Sequence, residues 1–345
     1  MSRTAVVLFN LGGPDAPESV RSFLFNLFND RAIITLPQPW RWMIARVIAG
    51  RRAETARAIY DKIGGGSPLL ANTLTQAAAL TEALGAEHRC FVAMRYWHPF
   101  SAEAATAVKA WNPERIVLLP LYPQFSTTTT QSSLADWHAA AARAGLSRVP
   151  TVSLCCYPDN AGFIAATAAA IRSEIAQLPS GARYRILFSA HGLPKKIVSA
   201  GDPYQFQVER TVASLRAALG IADLDSVVCY QSRVGPLEWI GPATDAEIRR
   251  AGAEGVGLIV VPVAFVSEHS ETLVELDIEY RHVADQAGVT FYQRVATVGC
   301  APEFIAGLAD LVREAGSGPE GLRCPAGARL CPAEFARCPI GAIGK

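Results

Sequence analysis

Residues 184–194 read YRILFSAHGLP, and residues 4–14 read TAVVLFNLGGP. Each is a near-continuous apolar run that breaks on a glycine turn, the pattern of a strand buried on both faces of a parallel sheet. Similar runs occupy residues 89–94, 115–121, 149–155, 226–231, 257–265 and 290–295, giving eight expected strands. Between them, residues 71–85, 101–110, 133–144, 160–177, 204–219 and 270–287 carry helical spacing. Strands alternating with helices predict a doubly wound α/β protein, and eight strands divide as four plus four, with a break near CYPDN at 156–160. The two glycine turns suggest a duplicated fold. Open α/β sheets bind ligands beyond the carboxyl ends of their strands, so a cleft is expected at these turns.

Composition narrows the function classes. The chain has 345 residues, enough for two domains, with 50% apolar and 18% charged residues, which excludes a disordered chain. A net charge of +1 gives no reason to expect a nucleic-acid surface, so no nucleic-acid partner is predicted. The start, MSRTAVVLFNLGGPD, has an apolar run too short for a signal sequence or a membrane span, and a cytosolic location is expected. Phe23 to Ile48 is apolar and aromatic with interspersed Arg; it suits a surface resting on a bilayer, the wall of a large apolar pocket, or ordinary helix core.

The strongest chemical signal follows the strand at 257–265. Glu268, Glu271, Glu275 and Glu279 are offset by 3, 7 and 11 residues, which places four carboxylates on one face of an α-helix. On a solvated face they are inert; lining a cleft, one or more holds a raised pKa and can carry protons or a hard cation. The row begins at the end of a core strand beside His269, which favours the cleft. His191, directly after its strand and before Gly192, faces the same inferred cleft and suits a general base. The GGGS run at 64–67 follows a helical stretch and lacks a Lys after it, so it reads as a helix end, not a phosphate loop.

Beyond Arg313 the chain turns Gly- and Pro-rich and cannot build a core alone. Three of its eight cysteines, Cys324, Cys331 and Cys338, fall in the last 22 residues, each pair separated by six residues. This is not paired zinc-finger spacing, and a fourth donor must come from Cys156, Cys155 or Cys300; zinc and a 2Fe-2S cluster both fit.

In order along the chain stand FNLGGP, FLFNLFND, RRAETARAIYDKIGGGSP, MRYWHPF, LPLYPQFS, SAHGLPKKIVSAGDPY, YQSRVGPLEWIGP and VPVAFVSEHSETLVELDIEY. Together these motifs resemble the ferrochelatase family, over nearly all of residues 4–314. The resemblance implies two similar Rossmann-like domains, each a four-stranded parallel sheet flanked by helices, with a porphyrin cleft between them. It implies an N-terminal half at 1–157 with an apolar lip at 23–48, a C-terminal half at 158–297, a final helix at 298–315 packing back on the first half, and a cysteine-bearing extension at 316–345.

The activity implied is insertion of Fe2+ into protoporphyrin IX with release of two protons. A coproporphyrin-specific enzyme, or a haem- or iron-sensing protein on the same fold, is the alternative. By resemblance His191 and Glu271 are catalytic. His191, Glu271, Glu275, Glu279 and His269 meet the metal, while Leu11, Arg52, Tyr60, Ser67, Arg95, Tyr96, Tyr204, Trp239 and Phe265 shape the pocket or hold porphyrin carboxylates. A 2Fe-2S cluster on Cys156, Cys324, Cys331 and Cys338, membrane contact through the lip, and a homodimer are further implications. Where some members supply a cluster cysteine after LPLYPQFS, this chain has Thr127.

Overall fold

The computed structural model of the chain describes residues 3–233 and 235–341. Residues 1–2 of the expected first half, Val234 of the YQSRVGPLEWIGP motif and residues 342–345 of the extension lie outside the described residues. Two compact units emerge. One holds the chain up to Tyr157, Leu308–Leu330 and the stretch from Pro339; the other holds Pro158–Gly307 and Cys331–Cys338.

The first unit is built on β1 (Thr4–Asn10), followed by α1 (Val20–Phe28), α2 (Trp40–Asp61), α3 (Leu69–Leu84), β2 (His88–Met94), α4 (Ser101–Trp111), β3 (Arg115–Pro120), α5 (Thr130–Arg143) and β4 (Thr151–Leu154). All seven residues of β1 are buried, as its unbroken apolar run requires of a central parallel strand. Ala5, Val7 and Phe9 point to one face, where they pack with Ala105 and Val108 of α4 and Trp137 and Ala140 of α5. Phe9 and Trp137 meet edge to face, with centroids 6.1 Å apart.

The second unit contains α6 (Ala161–Ala176), β5 (Tyr184–His191), α7 (Lys195–Ser199), α8 (Tyr204–Leu219), β6 (Ser226–Gln231), α9 (Thr244–Ala253), β7 (Gly257–Pro262), a π-helix (Glu271–Glu279), α10 (Tyr280–Gln286) and β8 (Tyr292–Arg294). Leu187, Leu258 and Val260 of the sheet bury against Ile248 and Ala251 of α9, Leu276 of the π-helix and Ala284 of α10. α11 (Pro302–Gly316) and the short β9 (Gly321–Arg323) complete the described elements.

Every strand pairing is parallel, and the sheets run β2-β1-β3-β4-β9 and β6-β5-β7-β8. In both, the first strand of the unit lies between its second and third, so the order in which strands are added reverses at β1/β3 and again at β5/β7. Those two reversals are the topological switch points at which open α/β sheets receive ligands.

The fold class expected from the pattern of strands and helices is the one observed, with one addition. The first sheet has a fifth strand, β9, from the extension, pairing Val152 with Gly321 and Leu154 with Arg323. Three residues, two of them exposed, carry no apolar alternation, so this strand is defined by docking on β4 and not by any local signal.

The extension is also pinned in the second unit, where residues 331–338 lie on the chain between α7 and α8. Arg337 donates from its backbone to Gly201 O and from Nε to Ala200 O, at 3.1 and 3.2 Å. Phe335 stacks on Phe206 with centroids 5.1 Å apart, and Gln207 Nε2 donates to Cys331 Sγ at 3.1 Å. Gly201 has φ +94°, and a Cβ there would stand 2.8 Å from Ala336 N, so both backbone conformation and space demand glycine.

Candidate active site

His191 is the last residue of β5, and the connection after β7 delivers Phe265 and His269 to the head of the π-helix, where Glu271 sits. These are the two strands flanking the switch point of the second sheet, so the topology itself brings the groups together. Nε2 of His191 lies 3.6 Å from Oε1 of Glu271, and Nε2 of His269 lies 3.6 Å from Oε2 of the same carboxylate. Each imidazole is oriented through its other nitrogen. Nδ1 of His191 donates to Gly192 O at 2.6 Å, and Nδ1 of His269 to Ser267 O at 3.1 Å. With both Nδ1 atoms serving as donors, each Nε2 is the ring atom turned toward the carboxylate, an arrangement satisfied by a proton or a cation between them.

The carboxylates of Glu271 and Glu275 are driven in opposite directions. Burial works against ionised Glu271, but the charge of His191 and the hydrogen bond and charge of His269 outweigh it and hold the carboxyl down to about 2. Glu275 is raised, first by burial and then by the negative charge of Glu271, against the opposing donors Ser232 and Gln231. Its oxygens are held by Ser232 N at 2.7 Å, by Ser232 Oγ, by Gln231 Nε2 at 3.0 Å and by Tyr280 OH at 3.1 Å. A neighbouring pair split in this way separates an acid from a base.

The expected row of four carboxylates on one helix face is corrected in two respects. The segment from Glu271 to Glu279 is wound as a π-helix, so residues four apart fall just short of one turn instead of overshooting it. Glu268 precedes the helix altogether; its Oε1 accepts from Arg294 Nη1 at 2.9 Å and from Thr297 N at 2.8 Å. Glu279 lies at the far end of the π-helix and is exposed.

The other expected residues of this unit surround the cluster. The Phe265 ring stacks on His269 with centroids 4.7 Å apart. Tyr204, buried at the first turn of α8, engages the backbone of His191, and its hydroxyl is held well above its ordinary range by burial and then by neighbouring negative groups including Glu271. Trp239 presses on Gly192: a Cβ at that glycine would stand 3.2 Å from the indole and 2.9 Å from Gln231 O.

The first unit gathers its expected residues near the carboxyl ends of β1 and β2. Leu11 and Tyr96 are joined by a backbone hydrogen bond of 2.9 Å, and Ser67 N donates to Pro14 O at 2.7 Å. Tyr60 is buried with Tyr96, Phe23 and Ala49, while Arg52 is exposed with its guanidinium over Phe28. Arg95 is tied to Asp30, with Nη2 at 2.9 Å from Oδ2, and its Nε donates to Ser132 Oγ at 2.7 Å. The same Asp30 oxygen accepts from Tyr96 OH at 2.7 Å and from Ser132 Oγ. Tyr96 is fully buried.

Asp30, Gln231 and Ser232, which residue type alone does not single out, are hydrogen-bond partners of expected site residues. The signal was present for the last two, since YQ closes β6 and Ser232 follows it, beside the HGLP turn.

Cys155, Cys156 and Cys324 bring their sulfurs within 4.8 Å of one another, the only such group of three His, Cys, Asp or Glu side chains among the described residues. Hydrogen bonds from the thiols of Cys155 and Cys156 push the Cys324 thiol down to about 3, with the backbone of Ala326 and Leu330 adding to the effect against burial. Cys156 is raised by its hydrogen bonds with Cys155 and Cys324 and by burial. A buried thiolate among thiols is the donor chemistry of a soft metal or cluster site. Cys331 and Cys338 are buried in the second unit, and Cys300 is exposed there.

A doubly wound α/β fold with an imidazole–carboxylate–imidazole cluster at a switch point defines an enzyme of the metal-chelatase class. The fold is similar to that of the sirohydrochlorin chelatase SirB from Bacillus subtilis subspecies spizizenii, with TM-score 0.52 and 10% identity over 92% of this chain and 97% of that one. The ferrochelatase family profile matches residues 3–316. The ferrochelatase of Caulobacter vibrioides (strain NA1000 / CB15N) is 52% identical over 343 residues, covering 98% of this chain and 97% of that protein. That of Phenylobacterium zucineum is 52% identical over 341 residues, 97% of each chain. That of Wolbachia sp. subsp. Drosophila simulans is 48% identical over 313 residues, 90% of this chain and 98% of its own. The chain belongs to the ferrochelatase family.

Proposed function

We propose that the protein inserts ferrous iron into protoporphyrin IX, forming protohaem and releasing two protons. The observation that carries this reading is the approach of His191 Nε2 to within 3.6 Å of a Glu271 carboxylate, with the imidazole fixed by Gly192 O. A free-base porphyrin must lose two N–H protons that water alone does not remove near neutral pH, so insertion needs a positioned base. Nε2 of His191 accepts such a proton, and the ionised Glu271 stabilises the imidazolium that results. Glu275, whose raised pKa lets it gain and lose a proton, passes it along the π-helix toward exposed Glu279. Imidazole and carboxylate are also exchangeable ligands for ferrous iron: His191, Glu271 and His269 can take the ion from water and release it to the macrocycle, where a thiolate cage would retain it.

Anaerobic incubation with ferrous iron and either protoporphyrin or coproporphyrin tests the reading. The metalloporphyrin spectrum should grow faster with protoporphyrin. Preference for coproporphyrin would assign the alternative substrate, and binding without conversion would favour a sensing role.

Two features extend this reading. Cys324, Cys331 and Cys338, with a fourth donor from Cys156, Cys155 or Cys300, are assigned to a 2Fe-2S cluster with a structural or regulatory role. The converging sulfurs of Cys155, Cys156 and Cys324, a group that includes neither Cys331 nor Cys338, support a soft-metal site in the first unit, and iron and sulfide analysis of the purified protein tests whether a cluster is bound. The segment 23–48 is assigned to peripheral membrane contact from the cytoplasmic side. Ile33, Leu36, Trp40, Trp42, Met43, Ile44 and Val47 are all exposed, which supports an apolar contact surface. No helix among the described residues is long and apolar enough to cross a membrane. Co-sedimentation with anionic vesicles, lost on replacing Trp40 and Trp42 with Ser, is the expected result.

A further inference from the structure

Gln231, the last residue of β6, has no solvent exposure and is opposite His191 in the β5–β6 register. Its backbone oxygen accepts from Gly192 N at 2.8 Å, which fixes the turn that follows His191. Its side-chain nitrogen donates to Glu271 O and to Glu275 Oε2, both at 3.0 Å. Its side-chain oxygen accepts from Ser189 Oγ at 2.8 Å, and Ser189 in turn shares a 2.9 Å hydrogen bond with Thr244. A carbonyl and a carboxylate on one side can be met only by the NH2 end of the amide, and a hydroxyl that reaches a second acceptor or donor completes the other side, so the amide has one orientation.

We propose that Gln231 is a positioning residue for iron insertion, a buried amide that sets the main chain of Glu271 and the carboxylate of Glu275 relative to His191. The proposal rests on the activity assigned above. Gln231 is not a catalytic residue, because its amide is consumed by protein groups. An i→i+5 helix has poorer packing of its backbone bonds than an α-helix, so an extra donor on the Glu271 carbonyl, from a rigid sheet, anchors its first turn. Without that amide the Glu271 main chain and the Glu275 carboxylate each lose a fixed donor and can shift, and a displacement of about 1 Å at reacting groups costs on the order of 100-fold in rate.

The test compares Gln231→Met, which keeps length and burial but removes every polar contact of the side chain, with Ser189→Ala, which removes only the hydroxyl that orients the amide. Iron insertion is followed anaerobically in the full chain, with thermal unfolding as a measure of folding. A kcat about 10- to 100-fold lower for Gln231→Met and about 2- to 5-fold lower for Ser189→Ala, with KM for porphyrin within about twofold and the folded fraction unchanged, is the expected result. A folded Gln231→Met protein with unchanged kcat overturns the proposal, as does a loss that only tracks the unfolded fraction. If Gln231→Met does not fold, an unchanged kcat in Ser189→Ala overturns it equally. Should the unsubstituted chain convert no porphyrin, the assigned activity falls and this proposal falls with it; conversion by the unsubstituted chain and by both variants alike removes this proposal alone.

Discussion

His191 Nε2 stands 3.6 Å from Glu271 Oε1 while its Nδ1 donates to Gly192 O at 2.6 Å. The ring is thus fixed as a base whose conjugate acid is stabilised by the carboxylate in front of it. Glu271→Gln keeps the shape and removes the charge, so the imidazolium loses its counter-ion. Iron insertion should fall by about 100-fold or more, and His191→Ala should fall at least as far, since general-base catalysis is worth on the order of 100- to 10,000-fold. Stopped-flow formation of metalloporphyrin reads both. The double variant should be little slower than His191→Ala, because the two groups act as a unit.

Asp30 concentrates three donors on one oxygen: Arg95 Nη2, Tyr96 OH and Ser132 Oγ. Its other oxygen accepts from Ala32 N at 2.9 Å, at the start of the exposed apolar segment. Asp30→Ala leaves a largely buried guanidinium and a fully buried phenol without their acceptor. A loss of about 3 kcal/mol is expected from breaking such a buried pair, measured by urea unfolding. Asp30→Asn, which keeps an acceptor but not the charge, should cost less.

The architecture was legible because it rests on strands that are apolar throughout. The runs at 4–11 and 184–190 contain observed β1 and most of β5, and the run at 226–231 coincides with β6. The approach of His191 to Glu271 was legible for the same reason, since His191 ends one such strand and Glu271 follows another at the switch point. What escaped were features created by docking. β9 exists because Gly321–Arg323 lies along β4, and the π winding of 271–279 is invisible to a spacing argument that assumes an α-helix. Glu268 was misread on that account: its position three residues before Glu271 suggested a shared face, whereas Arg294 from β8 takes it. Asp30 could not be singled out, because its side-chain partners Arg95, Tyr96 and Ser132 lie 65 residues or more along the chain.

Glu268 carries a pH dependence. Burial raises its carboxyl, but the charge of Arg294, with hydrogen bonds from Thr272, Thr297 and Arg294, prevails and lowers it below its ordinary 4.5. Arg294 is also held by Asp277, with Nε and Nη2 at 2.6 and 2.7 Å from its two oxygens. A carboxyl depressed in the folded state contributes stability that is complete above its unfolded pKa and disappears as the pH falls through the folded value. The difference in unfolding free energy between the unsubstituted protein and Glu268→Gln should therefore be largest at neutral pH and shrink on acidification below about pH 4.5. A difference that grew toward acid would contradict the ion-pair account.

Gly201 offers the last test, on the strap formed by residues 331–338. Its φ of +94° disfavours any side chain, and the missing Cβ leaves room for Ala336 N at 2.8 Å. Gly201→Val should therefore force the strap away, breaking the Arg337 hydrogen bonds to Ala200 and Gly201 and the stacking of Phe335 on Phe206. Backbone strain of this kind costs on the order of 1–3 kcal/mol. The core strands of the second sheet make no contact with the strap through these bonds, so the loss should be local. Amide exchange should accelerate in residues 331–338 and at the start of α8 while β5 and β7 keep their protection. Uniform acceleration across β5 and β7 would mean that the strap holds the unit together as a whole, and unchanged exchange in 331–338 would show that the glycine is dispensable for docking it.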